Sequence, residues 1–166
     1  MSMTYKRKSW KEKLEYNKKF PKILKFDPKF PCGKTLEKMG AQKGYSVVLV
    51  QPKEVVEIMS HVPNGKLITL KEICQKLAQN HHTKYCCTLT TGIFIMTAAH
   101  AAEENKMEGK KEITPYWRTL KIGGYLNDKY PGGSETQKKL LENEGFRILS
   151  KGKKYVVDNY ENYLVR

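Results

Sequence analysis

The sequence has no long apolar run and few cysteines. No stretch of its 166 residues approaches the roughly 18 to 20 consecutive apolar residues of a membrane-spanning helix. The opening segment, MSMTYKRKSWKEK, is too charged to supply the apolar region of a signal peptide. The four cysteines lack C-x-x-C spacing and any regular framework, which weighs against a disulfide scaffold or a zinc site. We therefore expect a soluble, cytoplasmic protein with reduced thiols, no metal, no cofactor and no membrane partner.

Acidic residues are also scarce. The chain has 17 Asp and Glu against 31 Lys and Arg, a net charge of +14. Residues 1–44 alone hold thirteen basic and four acidic residues, so +9 of the excess lies in this N-terminal stretch. Lysines and arginines on one face release counterions from a phosphate backbone, so the charge indicates a polyanionic partner. A solubilising extension and an arm lying along nucleic acid both fit this charge, and composition does not separate DNA from RNA.

The composition changes near residue 44. A capping box, Ser9-x-x-Glu12, predicts a short helix near 9–19, and the prolines and glycines that follow predict extended, wrapping chain over 20–44. Beyond this point the sequence has the apolar content of a globular domain. The predicted segments are a basic arm over 1–44, a folded domain over 45–149 and a C-terminal tail over 150–166.

The folded domain mixes strands and helices. SVVLV at 46–50 predicts a buried strand, and Pro52 suits the first turn of the helix after it. A second capping box, Thr69-x-x-Glu72, predicts a helix ending near Asn80. A polar segment and a longer helix follow, which is typical of a helix-turn-helix, although any packed pair of helices has similar spacing. The remaining predicted elements are a longer helix from 88–90 to Glu104, extended chain at 113–121, a Gly123-Gly124 turn, a helix opened by a capping box at Ser134-x-x-Gln137, and strands at 146–149 and 155–157.

This order predicts an α+β fold: a winged helix-turn-helix domain with a C-terminal helix, preceded by a basic arm. Three motifs within residues 62–148, about half of the chain, carry a resemblance to a known family. They are VPNGKLIT at 62–69, PYWR at 115–118, and YPGG at 130–133 with Gln137, Leu140-Leu141 and Glu144-Gly145. In this order and spacing the chain resembles the C-terminal domain of the O6-alkylguanine-DNA alkyltransferases and, more closely, the alkyltransferase-like proteins.

The departures from the family pattern bear on activity. The resemblance places Tyr116 where the active enzymes carry the cysteine that accepts the alkyl group, and Trp117 where they carry a histidine. A tyrosine hydroxyl, with a pKa of about 10, is a weak nucleophile at neutral pH, and an indole cannot act as a base. The resemblance thus implies no catalytic residue. It implies a monomeric protein that binds double-stranded DNA, with alkylated guanine as the candidate lesion and a repair protein as the partner that completes the work.

The resemblance also implies the binding residues. Tyr130 matches a tyrosine whose hydroxyl bonds the guanine oxygen, and Arg118 matches a residue that braces the loop. The family's base-flipping arginine is missing at about Gly92, and Leu70 replaces a tyrosine, which weighs against efficient base flipping. The residues assigned to DNA or lesion binding are Tyr116, Trp117, Arg118, Tyr130, Thr90, Thr91 and Gly92.

Two other functions remain open from the sequence. The chain could transfer an alkyl group to an unconventional cysteine, Cys86 or Cys87, which lie at the predicted start of the second helix where a thiol gains acidity. Alternatively, the pocket has decayed and the fold is a generic module that binds nucleic acid or protein. In a bacterium, the DNA-binding reading predicts association with the nucleoid.

Overall fold

A computed structural model describes residues 7–165 of the protein. Within this range the chain alternates short strands with five α-helices, so the predicted α+β class is confirmed. The strands are β1 (Lys22–Lys25), β2 (Ser46–Leu49), β3 (Ile68–Thr69), β4 (Tyr85–Cys86), β5 (Thr119–Leu120), β6 (Ile148–Lys151) and β7 (Lys154–Val157). The helices are α1 (Gly33–Lys38), α2 (Pro52–Ser60), α3 (Leu70–Asn80), α4 (Thr88–Met107) and α5 (Gly133–Asn143). Among residues 7–165, none of the helices combines the length and apolar character needed to cross a bilayer.

The helix pair α3 and α4 forms as predicted at its outer limits. The Thr69 side chain accepts a hydrogen bond from the backbone of Lys71, and the Thr69 backbone donates to Glu72 Oε1 at 2.9 Å, which completes the capping box. The connection between the helices is more than the predicted polar turn. It contains β4, which pairs in parallel with β2, because backbone groups there find partners across the sheet that the local sequence does not reveal.

The core lies between α2, α3, α4 and the sheet. In β2, Val47 and Val48 are fully buried, and α2 adds Val55 and Met59. Along α4, alanines occupy the buried positions 98, 99, 101 and 102. Their small side chains let neighbouring elements come close to the helix from several directions. As a result α4 runs through the centre of the domain.

The region predicted as extended chain over 20–44 contains regular structure. β1 pairs antiparallel with β2, with Lys22 opposite Leu49. Phe26 and Leu36 are buried in a cluster with Val47. Packing therefore crosses the predicted boundary at residue 44, because a few apolar side chains among the lysines are enough to anchor a strand that shares backbone hydrogen bonds with a buried neighbour.

The N-terminal segment is attached to the second half of α4. The predicted helix over 9–19 is reduced to one 3-10 turn at Glu12–Leu14, although Ser9 and Glu12 make both bonds of the capping box. Further contacts fix the segment to α4. Trp10 stacks on His100 with 4.4 Å between ring centroids, and the Trp10 backbone donates to Glu104 Oε1 at 2.7 Å. The described part of the arm thus packs on the domain.

The C-terminal elements differ in detail from the prediction. α5 begins at Gly133 after a left-handed Gly132, and the Ser134–Gln137 capping box does not form. The Gln137 side chain is buried and instead accepts a hydrogen bond from the backbone of Asn127 at 2.7 Å. β7 agrees with the predicted strand at 155–157, whereas β6 begins two residues later than predicted because Phe146 turns into the core.

Candidate nucleic-acid interface

The PYWR segment forms a single 3-10 turn at Tyr116–Arg118. The Tyr116 ring is fully buried and its hydroxyl donates a hydrogen bond to Glu103 Oε1 of α4 at 2.8 Å. Burial, assisted by Glu103, raises the pKa of Tyr116 above its ordinary value. The ring also meets Trp117 and Tyr130 edge to face, with centroids 5.4 and 5.3 Å away. This side chain therefore fastens the turn to α4 and does not reach a surface cavity.

Arg118 crosslinks three parts of the chain. Its Nε and Nη2 donate to Glu144 Oε1, and Nη1 donates to the carbonyl of Val62 at 2.8 Å. The guanidinium and carboxylate are only 14% and 11% exposed. A planar fork with this many charge-assisted bonds fixes the turn between α5 and the segment before β3. The arginine lies where a bracing residue would lie.

Tyr130 and Trp117 face different cavities. The Tyr130 ring lines a cavity beside α4, but it is nearly buried and its hydroxyl donates to the carbonyl of Thr119 at 2.8 Å. Burial raises the pKa of Tyr130. Trp117 lines a separate cavity of about 460 Å³ that also includes Lys106. The two aromatic residues and Tyr116 do not share one pocket.

The main cavity lies beside the first turns of α4. Its volume is about 410 Å³, within the range of about 300 to 1,000 Å³ common for small-molecule sites. Its wall combines α4, α1 and the chain between β5 and Tyr130. The lining residues are Pro31, Cys32, Thr35, Leu70, Thr88, Leu89, Gly92, Ile93, Ile95, Met96, Leu120, Lys121, Ile122, Asn127, Lys129 and Tyr130. Most of this lining is apolar, so the cavity suits a flat or apolar group.

The residues of α4 that line this cavity follow the helical repeat. Leu89, Gly92, Ile93 and Met96 stand at i, i+3, i+4 and i+7, which places them on one face. Leu89 is 47% exposed and Ile93 49% exposed. A Cβ built on Gly92 would meet nothing within 4 Å. This face is open along the first turns of the helix.

Thr90 and Thr91 point away from this face. Thr91 is fully buried, with its hydroxyl 3.3 Å from Cys86 Sγ. The Thr90 hydroxyl accepts a hydrogen bond from the Cys87 thiol at 3.4 Å. Of the three residues predicted at the start of the second helix, only Gly92 lines the main cavity.

Lysines surround the cavity and its neighbour. A second cavity, of about 820 Å³, shares Thr35 and Ile122 with the first. No Asp or Glu lines either one, and within residues 7–165 none of their lysines is in a salt bridge. We call this surface the basic face. Its lysines are Lys38, Lys71, Lys84, Lys121 and Lys129.

The thiols near these cavities are not all those expected. Cys32 lines the main cavity, although its sequence position is in the predicted arm. Burial and the nearby Cys87 raise the pKa of Cys32 to about 12, which leaves about one thiolate in 10⁵ at pH 7. Cys86 lines the second cavity, and a hydrogen bond with Cys74 lowers its pKa. In the described part of the chain no three His, Cys, Asp or Glu residues group as metal ligands would.

Sequence reasoning located the PYWR turn and Gly92 but missed Leu89, Ile93 and Cys32. The helical spacing of Leu89 and Ile93 was available in the sequence, but an apolar pair at this spacing usually faces a core. Cys32 reaches the cavity through the pairing of β1 with β2, which no local pattern announces.

Comparisons with known proteins give a limited result. No family model matches the chain, and no curated protein matches it. The fold is similar to two crystal structures from S. pombe: Atl1 in complex with damaged DNA containing O6-carboxymethylguanine, and ATL in complex with DNA. Each is 20% identical in sequence, and each comparison covers 69% of this chain and 94% of the other. The TM-scores are 0.48 and 0.49, respectively.

Proposed function

We propose that this protein binds double-stranded DNA through the basic face and recognises alkylated guanine there without transferring the alkyl group. One observation carries the proposal: an apolar cavity lies beside the first turns of α4, within a surface that holds five lysines and no carboxylate. Phosphates can contact the lysines while a base approaches the cavity. This division of roles is common in DNA recognition, where phosphate contacts position the protein and base contacts specify the site.

The start of α4 adds to the attraction for phosphate. The first backbone bond within the helix is donated by Thr91 to the carbonyl of Cys87, so the amide groups of residues 88–90 precede the helical ladder. Aligned peptide dipoles leave partial positive charge at this end of a helix. Together with Lys121 and Lys129, this end favours an anionic backbone over a neutral partner.

The absence of alkyl transfer follows from the state of the available nucleophiles. The Tyr116 hydroxyl is bonded to Glu103 inside the core and cannot meet a base in the main cavity. Cys32 does line that cavity, but its raised pKa leaves almost no thiolate at neutral pH. A base in the main cavity therefore finds no effective acceptor.

Alkylated guanine as the lesion rests on the motif resemblance and on Tyr130. The tyrosine lines the cavity, and its hydroxyl is now bonded to the Thr119 carbonyl. To bond a guanine oxygen, the hydroxyl must exchange this partner for the base. The variant Tyr130→Phe should therefore lose discrimination between lesion and normal guanine more than it loses affinity for DNA.

The test is fluorescence anisotropy with two matched duplexes, one of which carries a single O6-methylguanine, at two salt concentrations. We expect a preference for the lesion of about tenfold, or about 1.4 kcal/mol, together with steep salt dependence. Equal affinity for both duplexes would overturn lesion recognition and leave DNA binding. No affinity for either duplex would overturn the whole proposal.

Alkyl transfer to Cys86 is the second candidate, because the lowered pKa of this thiol and its place on the second cavity favour it. Mass spectrometry after incubation with the lesion duplex separates the two functions. We expect unmodified protein. A methylated peptide that contains Cys86, absent in Cys86→Ser, would show that the protein is an alkyltransferase.

A further inference from the structure

We propose that Leu89 and Ile93 form an apolar wedge that enters the minor groove of bound DNA and separates two stacked base pairs. The proposal rests on the proposed function, since it concerns how the same face engages DNA. It assigns the distortion of the duplex to two residues that no motif singled out.

Exposed apolar side chains cluster at one place on the surface. Among the described residues, eight large apolar side chains are well exposed, and three of them, Leu89, Ile93 and Ile122, line the main cavity. Single exposed apolar residues are normal on a soluble protein, whereas a cluster bordered by polar groups marks an interaction site. The border here is cationic, which selects a partner with apolar parts inside an anionic outline.

Duplex DNA has this arrangement, with stacked bases inside and phosphates outside. Minor-groove proteins commonly insert Leu, Ile, Met or Phe between base steps and bend the duplex. Leu89 and Ile93 suit this role because residues four apart project from one face of a helix. They lie in the first two turns of α4, at the end whose free amide groups attract phosphate.

Gly92 gives independent support for a close approach at this point. Glycine within a helix costs about 1 kcal/mol relative to alanine. In this structure nothing repays that cost, since a Cβ on Gly92 would stand in open space. A bare stretch of backbone between the two wedge residues does suit a partner that comes close to the helix, such as the sugar edge of a DNA strand.

The experiment compares the double variant Leu89→Ala/Ile93→Ala with Met107→Ala. Met107 is a matched control because it is 87% exposed on the same helix and lies about 21 Å further along its axis. The probe is a duplex that contains 2-aminopurine, whose fluorescence rises when its stacking is lost. Affinity is measured by anisotropy on the same duplex, and circular dichroism checks that each variant is folded.

We expect the wild type and Met107→Ala to raise the 2-aminopurine signal on binding. The double variant should bind about tenfold more weakly and lose the signal, with an unchanged salt dependence. The variant Lys121→Ala/Lys129→Ala should show the reverse pattern: it should retain the signal at saturation and lower the salt slope by about 2. These separate patterns distinguish a wedge from a purely electrostatic contact.

A further variant tests the close approach. Since the space beside Gly92 is open, Gly92→Leu should fold normally, and it should weaken DNA binding by holding the backbone away from the strand. Unchanged binding by this variant would overturn the close approach.

The outcomes separate failure of the wedge from failure of the proposed function. If the wild type binds DNA without a change in 2-aminopurine signal, or the double variant keeps the full signal, the wedge is wrong and DNA binding stands. If the wild type binds no duplex at any salt concentration tested, the proposed function fails and the wedge fails with it.

Discussion

The family-like motif and the first turns of α4 lie on either side of the main cavity and use their side chains in opposite ways. In the motif, Tyr116, Arg118 and Tyr130 all direct polar groups to partners inside the chain. On α4, Leu89 and Ile93 contact little of the chain and remain half exposed. The motif residues therefore hold the fold together, and the groups available to a ligand lie on the helix.

Breaking the Arg118–Glu144 pair should have the largest effect on stability. Arg118→Met keeps much of the side-chain volume but leaves a nearly buried carboxylate without its partner, which costs about 3 kcal/mol. Lys138→Met is the control, because it removes an exposed ion pair with Glu142 and should cost about 0.5 kcal/mol or less. Urea unfolding measures both. Similar losses would contradict the structural role of the motif.

Tyr116→Phe should have a smaller effect. It removes the hydroxyl bond to Glu103 and should lower the free energy of unfolding by about 1 kcal/mol, while DNA affinity stays unchanged. Tyr16→Phe, at an exposed tyrosine, should change neither quantity. A loss of DNA affinity in Tyr116→Phe would show that the motif tyrosine takes part in binding, and the division between the two regions would break down.

Gly92→Ala should act in the opposite direction. The methyl group meets no neighbour, so the helix gains about 0.5 to 1 kcal/mol in the free energy of unfolding. Gly132→Ala provides the contrast, because Gly132 has a φ of +75° and a Cβ there would collide with Thr136 Oγ1. Thermal unfolding should show a rise for the first variant and a fall for the second. A fall in both would mean that the space beside Gly92 is not open.

Cys32 should affect stability only in alkaline solution. Burial raises the pKa of its thiol from 9.0 to about 12, so the native state holds the proton more tightly than the unfolded chain does. The stabilisation is complete below pH 9 and is lost as the pH rises from about 9 through 12. Urea unfolding of Cys32→Ala should therefore show a shallower decline over this range than the wild type. Equal declines would contradict the raised pKa.

The sequence predicted those parts of the fold that depend on neighbouring residues. The Thr69 capping box and the proline at the start of α2 act within one helical turn, so the pattern alone locates both helix starts. The pairing of β1 with β2, and of β4 with β2, depends on residues about 25 to 40 positions apart. Prolines and lysines hid the first pair, and the short polar context hid the second.

The candidate site was predicted in position but not in orientation. The motif located the turn at 116–118, whereas only the structure shows that its tyrosine points into the core. The same limit applies to Gly92, where the sequence showed a missing arginine and the structure shows open space beside a pair of exposed apolar residues. Burial depends on the whole fold, and a linear pattern cannot supply it.

The stacking of Trp10 on His100 makes one event in this protein visible to optical spectroscopy. The chain has two tryptophans, Trp10 on the N-terminal segment and Trp117 in the PYWR turn. In a Trp117→Phe background, the remaining indole reports whether the N-terminal segment is seated on α4 or released from it. Stopped-flow fluorescence could then follow this segment while DNA binds at the far end of the same helix.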